Sequence, residues 1–447
     1  MQSRCRNPGV VALVLLLFVA AIAYFFGAQE NGRRVNTDIS RTDQGAYIKY
    51  AIALRESDFT TVGRRNRMPA YPALLATFID KGETPDGFFE KGKLINTWLS
   101  LVGLVFLGTV FLRTFPRHAG LNILFLAGFG VFVFKAAYVQ AEILYYLLTF
   151  AVFFLSWKLF RKPRILVALL AGGLIGVAHL TKASVVPGLL VVAVFYPLDA
   201  IWQFFTGREK GTIRPLVRLA VILLMTGTFF ATVYPYLAKS KEIYGRYFYN
   251  VNSTFYFWCE SWKDAGNRTK AAGDRKGWPE MPEDEIPSLK NYLRTHSVWD
   301  IGGRIFSGIS RVVNSMARSY GYLWIFLAYV AFGLWVAWCK HRVIWKLIYQ
   351  RPFPVAALAA YFIGYFLLIA WYSQIIQGNR FILGLFLPFL FSVTALICAF
   401  GRRLEIRLGQ GMVLPAVPVF NTLISAWLAV DILITFFFRL GTVYGGS

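Results

Sequence analysis

The chain has 447 residues, of which 57% are hydrophobic and 17% aromatic, and its formal net charge at pH 7 is +24. Its mean hydropathy is positive, at +0.51, and apolar runs of about 20 residues recur, each long enough to cross a hydrocarbon core ~30 Å thick. Repeated runs of that length exclude an ordinary soluble domain. The sequence therefore predicts an all-α polytopic membrane protein.

Taken in chain order, the apolar runs predict eleven transmembrane helices. The first run follows a basic start and has too long an apolar core for a signal peptide, so we interpret it as an anchor. Two long polar loops separate the helices into blocks. The predicted helices cover residues 8–27, 94–112, 121–139, 141–159, 165–180, 184–204, 216–238, 320–339, 353–373, 381–400 and 412–438, and the predicted domains are 1–27, 28–93, 94–238, 239–319 and 320–447.

The basic residues indicate which loops face the cytoplasm. With the N-terminus inside, the inner segments carry 19 Lys and Arg against two acidic residues, whereas the short outer segments and the C-terminal tail carry only Lys182, Arg380 and Arg439. Positive charge is concentrated on the inner side of membrane proteins. The excess of basic residues therefore orients the chain and does not indicate nucleic-acid binding. We expect a bacterial inner membrane, with the functional face outward.

The two long loops both fall on the outer side and are nearly balanced in charge. The first carries 11 basic and 9 acidic residues, and the second carries 13 and 9. Long loops in compact proteins are usually functional or disordered. Because these two contain aromatic residues at the density of globular proteins, we expect them to fold over the membrane surface.

Four outer segments carry isolated charges beside apolar helices. They hold Asp43, Glu142, Lys182 and Arg380, and His179 accompanies the lysine. Charges at membrane depth are costly and often functional, although any one of them alone could be an interface anchor. Because all four segments are on one side, the sequence predicts that their charges share a cavity at the outer membrane edge.

Asp43 begins the most informative stretch, RTDQGAYIKYAIALRE. If Asp43 starts a helix, Tyr47 lies one turn further on the same side. The carboxylate has two interpretations. It either caps the helix, whose first N–H groups are free, or serves as a general base beside a hydroxyl acceptor. Asp38, five residues earlier, is the alternative base.

The other charges suit chemistry on a lipid-linked sugar. Cations at the membrane boundary can hold a lipid phosphate and stabilise its charge as a leaving group. A second acid could position a sugar hydroxyl, the acceptor or a divalent ion. The chain has neither a P-loop nor a GxGxxG motif, which argues against an ATP-driven pump and a soluble nucleotide-sugar domain. The pattern favours sugar transfer from a polyprenyl-phosphate carrier.

The order and sidedness of these motifs resemble the GT-C superfamily of integral membrane glycosyltransferases, in particular the protein mannosyltransferases and the aminoarabinose transferases. The resemblance covers roughly residues 35–400. It rests on an acid with a Tyr four residues later, an R-x-P-x-Y-P segment, a second outer acid, an L-T-K helix end and a late Arg-Phe followed by Pro. The matching residues are Asp43, Tyr47, Arg67, Pro69, Tyr71, Pro72, Glu142, Leu180, Thr181, Lys182, Arg380, Phe381 and Pro388. The first-loop acid lacks the adjacent Glu of the family.

This resemblance implies an inverting transfer with Asp43 as base and with Lys182 and Arg380 near the donor phosphate. Glu142 would be a second catalytic acid or the ligand of a divalent cation, and no other cofactor is implied. The donor would be a polyprenyl-phosphate sugar, and the acceptor a lipid, a glycan or a protein. The side chains expected to line the substrate site are Tyr47, Arg67, Tyr71 and His179.

Two other classes stay open on the sequence alone. A transporter or flippase for lipid-linked sugars would also need many spans, but it must use both membrane faces. A polymerase or ligase of lipid-linked glycans shares the outer loops without needing the first-loop carboxylate. The sequence indicates neither the sugar nor the oligomeric state.

The second outer loop contains two patterned segments. Nine aromatic residues lie between Tyr244 and Trp262, either as an interfacial belt or as a cover for a sugar site. Residues 300–319 predict an amphipathic helix in the outer interface. Its arginines either extend to the interface or attract a phosphorylated lipid or anionic glycan. Its apolar stripe is Ile301, Ile305, Ile309, Val312 and Met316, and its arginines are Arg304, Arg311 and Arg318.

Overall fold

The structure is a computed structural model that describes residues 8–61, 66–207, 213–272, 281–317, 322–375, 380–407, 409 and 412–442. Almost all of its regular structure is helical. The first ten helices are α1 Pro8–Val35, α2 Gln44–Glu56, α3 Ala70–Ala76, α4 Pro85–Thr114, α5 Arg117–Ala127, α6 Val133–Lys135, α7 Glu142–Arg161, α8 Ile165–Thr181, α9 Val186–Phe205 and α10 Ile213–Tyr244.

The described residues of the second half of the chain form nine further helices and one short hairpin. The helices are α11 Val251–Thr254, α12 Trp262–Ala272, α13 Leu289–Thr295, α14 Val298–Ala317, α15 Leu323–Cys339, α16 His341–Gln350, α17 Pro352–Tyr372, α18 Leu383–Phe400 and α19 Ala416–Ile434. The antiparallel strands are β1 Glu405–Arg407 and β2 Val413–Pro415. Gly128–Phe132 and Thr435–Arg439 form π-helical turns, and Ala183–Val185 and Tyr256–Trp258 form 3₁₀ turns.

The apolar helices confirm a multi-pass all-α membrane protein. Among the described residues, nine helices are long and apolar enough to cross a membrane, or ten if α15 and α16, which meet at 85°, are counted as one broken span. Helix α8 is apolar but has only 17 residues. Every predicted span overlaps an observed helix, whereas the predicted count of eleven crossings stays a prediction.

Helix boundaries differ most from the prediction at α4, which begins at Pro85 instead of residue 94. The Thr84 side chain accepts a hydrogen bond from the Gly87 N–H at 3.2 Å, and Pro85 occupies the first helical position. Both are favourable helix-start features. The apolar criterion missed them because this turn is polar. Of the predicted anchor, residues 1–7 lie outside the described part, and α1 continues to Val35.

The bundle is held by close helix packing. Helix α8 packs against α7 and α10, and a Cβ atom at Gly172 would lie only 2.2 Å from the Met225 carbonyl oxygen. A residue with a side chain could not replace this glycine without moving α10. Small residues at such contacts allow membrane helices to approach closely.

Helix α7 places two charge clusters at opposite ends of the bundle. Its first residue, Glu142, belongs to the cluster described below. Near its last turn the Phe160 carbonyl accepts a hydrogen bond from Arg351 at 2.8 Å. The two residues are ~27 Å apart along the helix, about the thickness of a hydrocarbon core. The first cluster therefore lies at the predicted outer end and the second at the inner end.

The inner cluster is centred on Asp199 of α9, which is fully buried. Its Oδ2 atom lies 3.1 Å from Arg351, 3.3 Å from Arg218 and 2.5 Å from the Gln203 amide. The sequence prediction treated this stretch as a plain apolar span and missed the acid. These ion pairs connect α9 with α10 and with the start of α17, where a plain apolar span would make apolar contacts alone.

Both long loops fold against the end of the bundle that carries Glu142. In the first loop, α2, α3 and the start of α4 share an apolar core with the turn before α7. In the second, six of the nine aromatics are buried or half-buried, whereas Tyr247, Phe248 and Trp262 are exposed. Most of these aromatic residues therefore pack against the protein and do not form an interfacial belt.

Helix α14 forms as predicted, but it packs along α17. In its predicted apolar stripe Val312 is buried and the other four residues are half-buried. A Cβ at Gly308 would clash with the Ala370 carbonyl oxygen of α17. Arg304 is buried and donates to Glu260 and to the carbonyls of Phe257 and Cys259. Arg304 therefore links α14 to residues 257–260 and does not extend to the interface. Arg311 is exposed, and Arg318 lies outside the described residues.

The predicted sidedness has a direct test in single cysteines on a background without the four native cysteines. Lys81 in the first loop and Lys162 after α7 are both exposed. A membrane-impermeant maleimide is expected to label Lys81→Cys in spheroplasts and Lys162→Cys only after permeabilisation. The reverse pattern would overturn the topology, because the positive-inside asymmetry is its only basis.

Candidate functional site

The start of α2 fixes where the Asp43 carboxylate lies. Gln44 accepts a hydrogen bond from the Val139 N–H at 2.9 Å, and Gln140 donates to the Thr42 hydroxyl at 2.6 Å. Thr42 has a φ of 63°, in the left-handed region, so the chain turns sharply just before Asp43. These contacts attach the loop to the segment before α7 and place Asp43 beside the Glu142 end of that helix.

Asp43 does not cap the helix through its side chain. It precedes the first residue of α2, yet its carboxylate makes no capping hydrogen bond. Oδ1 instead lies 2.5 Å from Arg67 Nη2, and Oδ2 lies 3.1 Å from Arg380 Nη1. The capping interpretation of the sequence is therefore wrong for the side chain, which is held by two arginines from distant segments.

Glu142 and Lys182 form the second ion pair. The ammonium of Lys182 lies 2.8 Å from Glu142 Oε1, and the side chains are 13% and 4% exposed. The second carboxylate oxygen, Oε2, has no hydrogen-bond partner among the described residues. Removing either partner of such a buried pair leaves an uncompensated charge inside the protein, which is strongly destabilising.

The two ion pairs belong to one site. The Lys182 ammonium lies 4.9 Å and the Arg380 guanidinium carbon 5.4 Å from the centre of the Phe381 ring, so the cations are separated by at most the sum of those distances. This is well within the ~16 Å of two Debye lengths. The Tyr47 hydroxyl interacts electrostatically with both carboxylates. The predicted convergence of the outer segments is therefore seen in the structure.

The site contains more positive than negative charge. Arg67, Lys182 and Arg380 face two carboxylates, and Lys135 is close enough to interact electrostatically with Glu142. An excess of cations at one end of the bundle favours an anionic ligand. Burial lowers the pKa of Lys182 although Glu142 opposes this, whereas for Arg380 the two carboxylates outweigh burial and raise the pKa.

The aromatic residues predicted to line the substrate differ in position. Tyr47 packs edge-on against Tyr71 at 5.4 Å and lies under the Arg67 guanidinium, also at 5.4 Å. Burial raises the pKa of Tyr47 well above its usual range. Tyr71 is fully buried and donates to Asn96 at 3.2 Å. Tyr71 therefore packs against Tyr47 inside the protein. Its predicted place in the substrate lining is not supported.

His179 is also removed from the charged groups. It is buried between the rings of Phe229 and Phe248, at 6.1 and 5.7 Å. Lys182 lies just beyond the end of α8, in extended backbone with φ −149° and ψ 126°, so the helical spacing of three residues does not bring the two side chains together. Packing of His179 toward α10 takes it out of the charge cluster. The sequence could not show this because it does not give the rotation of α8 in the bundle.

Asp38, the alternative base, lies apart from the cluster. It is exposed, and its carboxylate accepts a hydrogen bond from the Ser40 N–H at 2.7 Å. Hydrogen bonds from Ser40 lower the pKa of Asp38. The structure therefore favours Asp43 over Asp38 as the acid of this site.

Several contributors were missing from the sequence prediction. Tyr146 donates to the Arg380 carbonyl at 2.8 Å, and the Tyr145 ring lies 5.3 Å from the Lys182 ammonium. Their positions, three and four residues after Glu142, place them on its side of α7. Lys135 follows a π-helical turn, a feature common at functional sites. The spacing could have indicated the tyrosines, but the π turn has no sequence signal.

No group of three or more His, Cys, Asp or Glu side chains in the described part of the chain is arranged to hold a metal ion. No protein-family model matches the chain, and no match was found among curated proteins or solved structures. The likeness to the GT-C superfamily therefore stays a resemblance of motifs. The structure itself defines a multi-pass helical membrane protein with a charged site at one end of its bundle.

Proposed function

We propose that the protein is a GT-C-type glycosyltransferase that moves a sugar from a polyprenyl-phosphate donor to an acceptor hydroxyl on the outer face of a bacterial inner membrane. The observation that carries the proposal is the joining of Asp43, Glu142, Arg67, Lys182 and Arg380 in one site. This set supplies a candidate base and a cationic phosphate site at the edge of a membrane-spanning bundle.

Each part of the proposed reaction has a candidate residue. Asp43 accepts the proton of the acceptor hydroxyl, whose oxygen bonds to the anomeric carbon of the sugar. The bond from that carbon to the phosphate oxygen breaks, and the leaving polyprenyl phosphate gains negative charge. Lys182 and Arg380 stabilise that charge. Glu142 holds Lys182 in place through the 2.8 Å ion pair.

Arg380 provides the first test of the donor site. Arg380→Lys is expected to weaken binding of a polyprenyl-phosphate sugar, and Arg380→Ala to weaken it by about 10–100-fold, which corresponds to losing hydrogen bonds to a charged group. Lysine keeps the charge but lacks the two-pronged geometry of the guanidinium. Binding is measured with purified protein in nanodiscs. Arg294→Ala, at an exposed arginine of α13, is the control and should bind normally.

Proteoliposomes separate the alternatives. A transferase forms the glycosylated acceptor and releases polyprenyl phosphate from donor presented on the active face. Movement of the intact donor between leaflets, without cleavage of the sugar–phosphate bond, would support a flippase instead. Joining of two lipid-linked glycans without need for Asp43 would support a polymerase or ligase.

A further inference from the structure

Asp43 has both carboxylate oxygens in ion pairs. Oδ1 is bound to Arg67 at 2.5 Å and Oδ2 to Arg380 at 3.1 Å, and the three side chains are 32%, 15% and 24% exposed. Both are charge-assisted hydrogen bonds, a class in which each bond is roughly twice as strong as a neutral one. A base must present a free oxygen to the acceptor hydroxyl. In the arrangement observed, the carboxylate is held by the arginines.

The same arginines are not fully satisfied by Asp43. The Nε atoms of Arg67 and Arg380 are buried and have no hydrogen-bond partner among the described residues. Buried donors without a partner are costly and rare in folded proteins. A guanidinium can offer Nε and Nη together to a phosphate, which carries enough oxygens for two arginines. The unused donors therefore indicate a ligand with more acceptor atoms than one carboxylate.

The backbone around Asp43 is fixed independently of the arginines. Thr42 and Gln44 are hydrogen-bonded to Gln140 and Val139. Loss of the two ion pairs would therefore release the carboxylate without displacing the start of α2. Rotation of one side chain is sufficient to expose an oxygen.

We propose that the phosphate of the polyprenyl donor displaces the Asp43 carboxylate from Arg67 and Arg380, so that the base becomes available only when the donor is bound. This inference rests on the proposed transferase function and adds Arg67 to the phosphate site. Donor and carboxylate compete for the same two guanidiniums. The apparent affinity for the donor is then the intrinsic affinity multiplied by the fraction of protein in which Asp43 does not occupy the guanidiniums.

The competition predicts that removing the Asp43 charge tightens binding of the lipid phosphate. In nanodiscs, Asp43→Asn is expected to bind undecaprenyl phosphate about 10-fold more tightly than the wild type, as for a competitor that occupies the arginines about nine-tenths of the time. Asp38→Asn removes the same charge at an exposed position, where the carboxylate accepts a hydrogen bond from Ser40 and not from Arg67 or Arg380. Its affinity should equal that of the wild type.

The outcomes separate this inference from the function on which it rests. Equal or weaker binding by Asp43→Asn, with a wild type that binds and transfers normally, overturns the exchange alone. A wild type that does not bind undecaprenyl phosphate overturns both proposals. If Asp43→Asn and Asp38→Asn tighten binding equally, the cause is general charge and the exchange is rejected.

A second measurement uses the unmodified protein and does not depend on the variant folding. Carbodiimide-driven amine labelling of Asp43, read by peptide mass spectrometry, is expected to rise several-fold when undecaprenyl phosphate is added. No rise contradicts the release of the carboxylate. Inorganic phosphate is the comparison probe. Release by both indicates recognition of the phosphate alone, and release by the lipid only indicates that the prenyl chain is also required.

Discussion

Asp43→Asn is expected to lower turnover by about 10²–10⁴-fold, the usual contribution of a general base, while yield and thermal stability stay close to those of the wild type. Asparagine keeps the shape of the side chain and one hydrogen-bond acceptor for the arginines, but it cannot take the proton. The stability change should be small, since the carboxylate is 32% exposed and partly exposed ion pairs contribute little. Single-turnover transfer from a saturating polyprenyl-phosphate sugar measures the effect.

Asp38→Asn is the matched control for this experiment. Asp38 is exposed and its carboxylate accepts a hydrogen bond from Ser40, two residues further along the chain, so turnover should stay normal. Normal turnover in Asp43→Asn with a loss in Asp38→Asn would move the base by five residues. Normal turnover in both variants would remove the carboxylate from the mechanism, and the transporter or polymerase interpretation would then lead.

The helices, and the end of the bundle at which the charges of the site meet, follow from patterns that are local in the chain. Apolar runs of spanning length locate the bundle helices because the bilayer sets that length. The spacing of Asp43 and Tyr47 predicts that both lie on the same side of α2, and Tyr47 is buried there. Assignment of Glu142, Lys182 and Arg380 to outer segments predicts their proximity because the ends of the helices meet at one membrane edge.

The pairing of charges could not be predicted in the same way. Arg67 was expected to line the substrate, but it binds Asp43 at 2.5 Å, and this partner is set by how α2 and α3 fold together. Likewise, Asp199 lies in an apolar run and is neutralised by Arg218 and Arg351 from other helices. Hydropathy averages conceal a single acid, and only the tertiary structure shows its partners.

Burial of polar side chains within the site region was also beyond the sequence. Tyr71 matches a motif position of the resemblance and His179 directly precedes the L-T-K motif, yet both pack inside the protein. The buried tyrosine is satisfied by Asn96 at 3.2 Å, a residue that no motif includes. Motif matching assigns residue types to positions, whereas the direction of each side chain depends on helix rotation.

The Glu142–Lys182 pair is expected to give the largest stability effect. Glu142→Gln leaves the Lys182 ammonium, only 13% exposed, without its counter-charge, which typically costs about 3–5 kcal/mol. Lys182→Met should cost a similar amount by leaving the carboxylate unpaired. The double variant should recover most of the loss, because a buried pair can be replaced by uncharged groups at little cost. Unfolding in detergent, followed by intrinsic fluorescence, gives the coupling energy.

A double-mutant cycle on an exposed pair provides the matched comparison. Lys81 and Asp58 lie 3.1 Å apart with side chains 59% and 69% exposed, and their coupling should be below about 1 kcal/mol. A coupling as small as this at Glu142 and Lys182 would contradict the structural role of the pair.

Binding of undecaprenyl phosphate to these variants then separates the structural role of the pair from its role in binding. If Lys182 holds the phosphate, the double variant regains stability but still binds weakly, because the ammonium is absent. Normal binding by the stable double variant would remove Lys182 from the proposed phosphate site. Arg67 and Arg380 would then be the cations proposed to bind the phosphate.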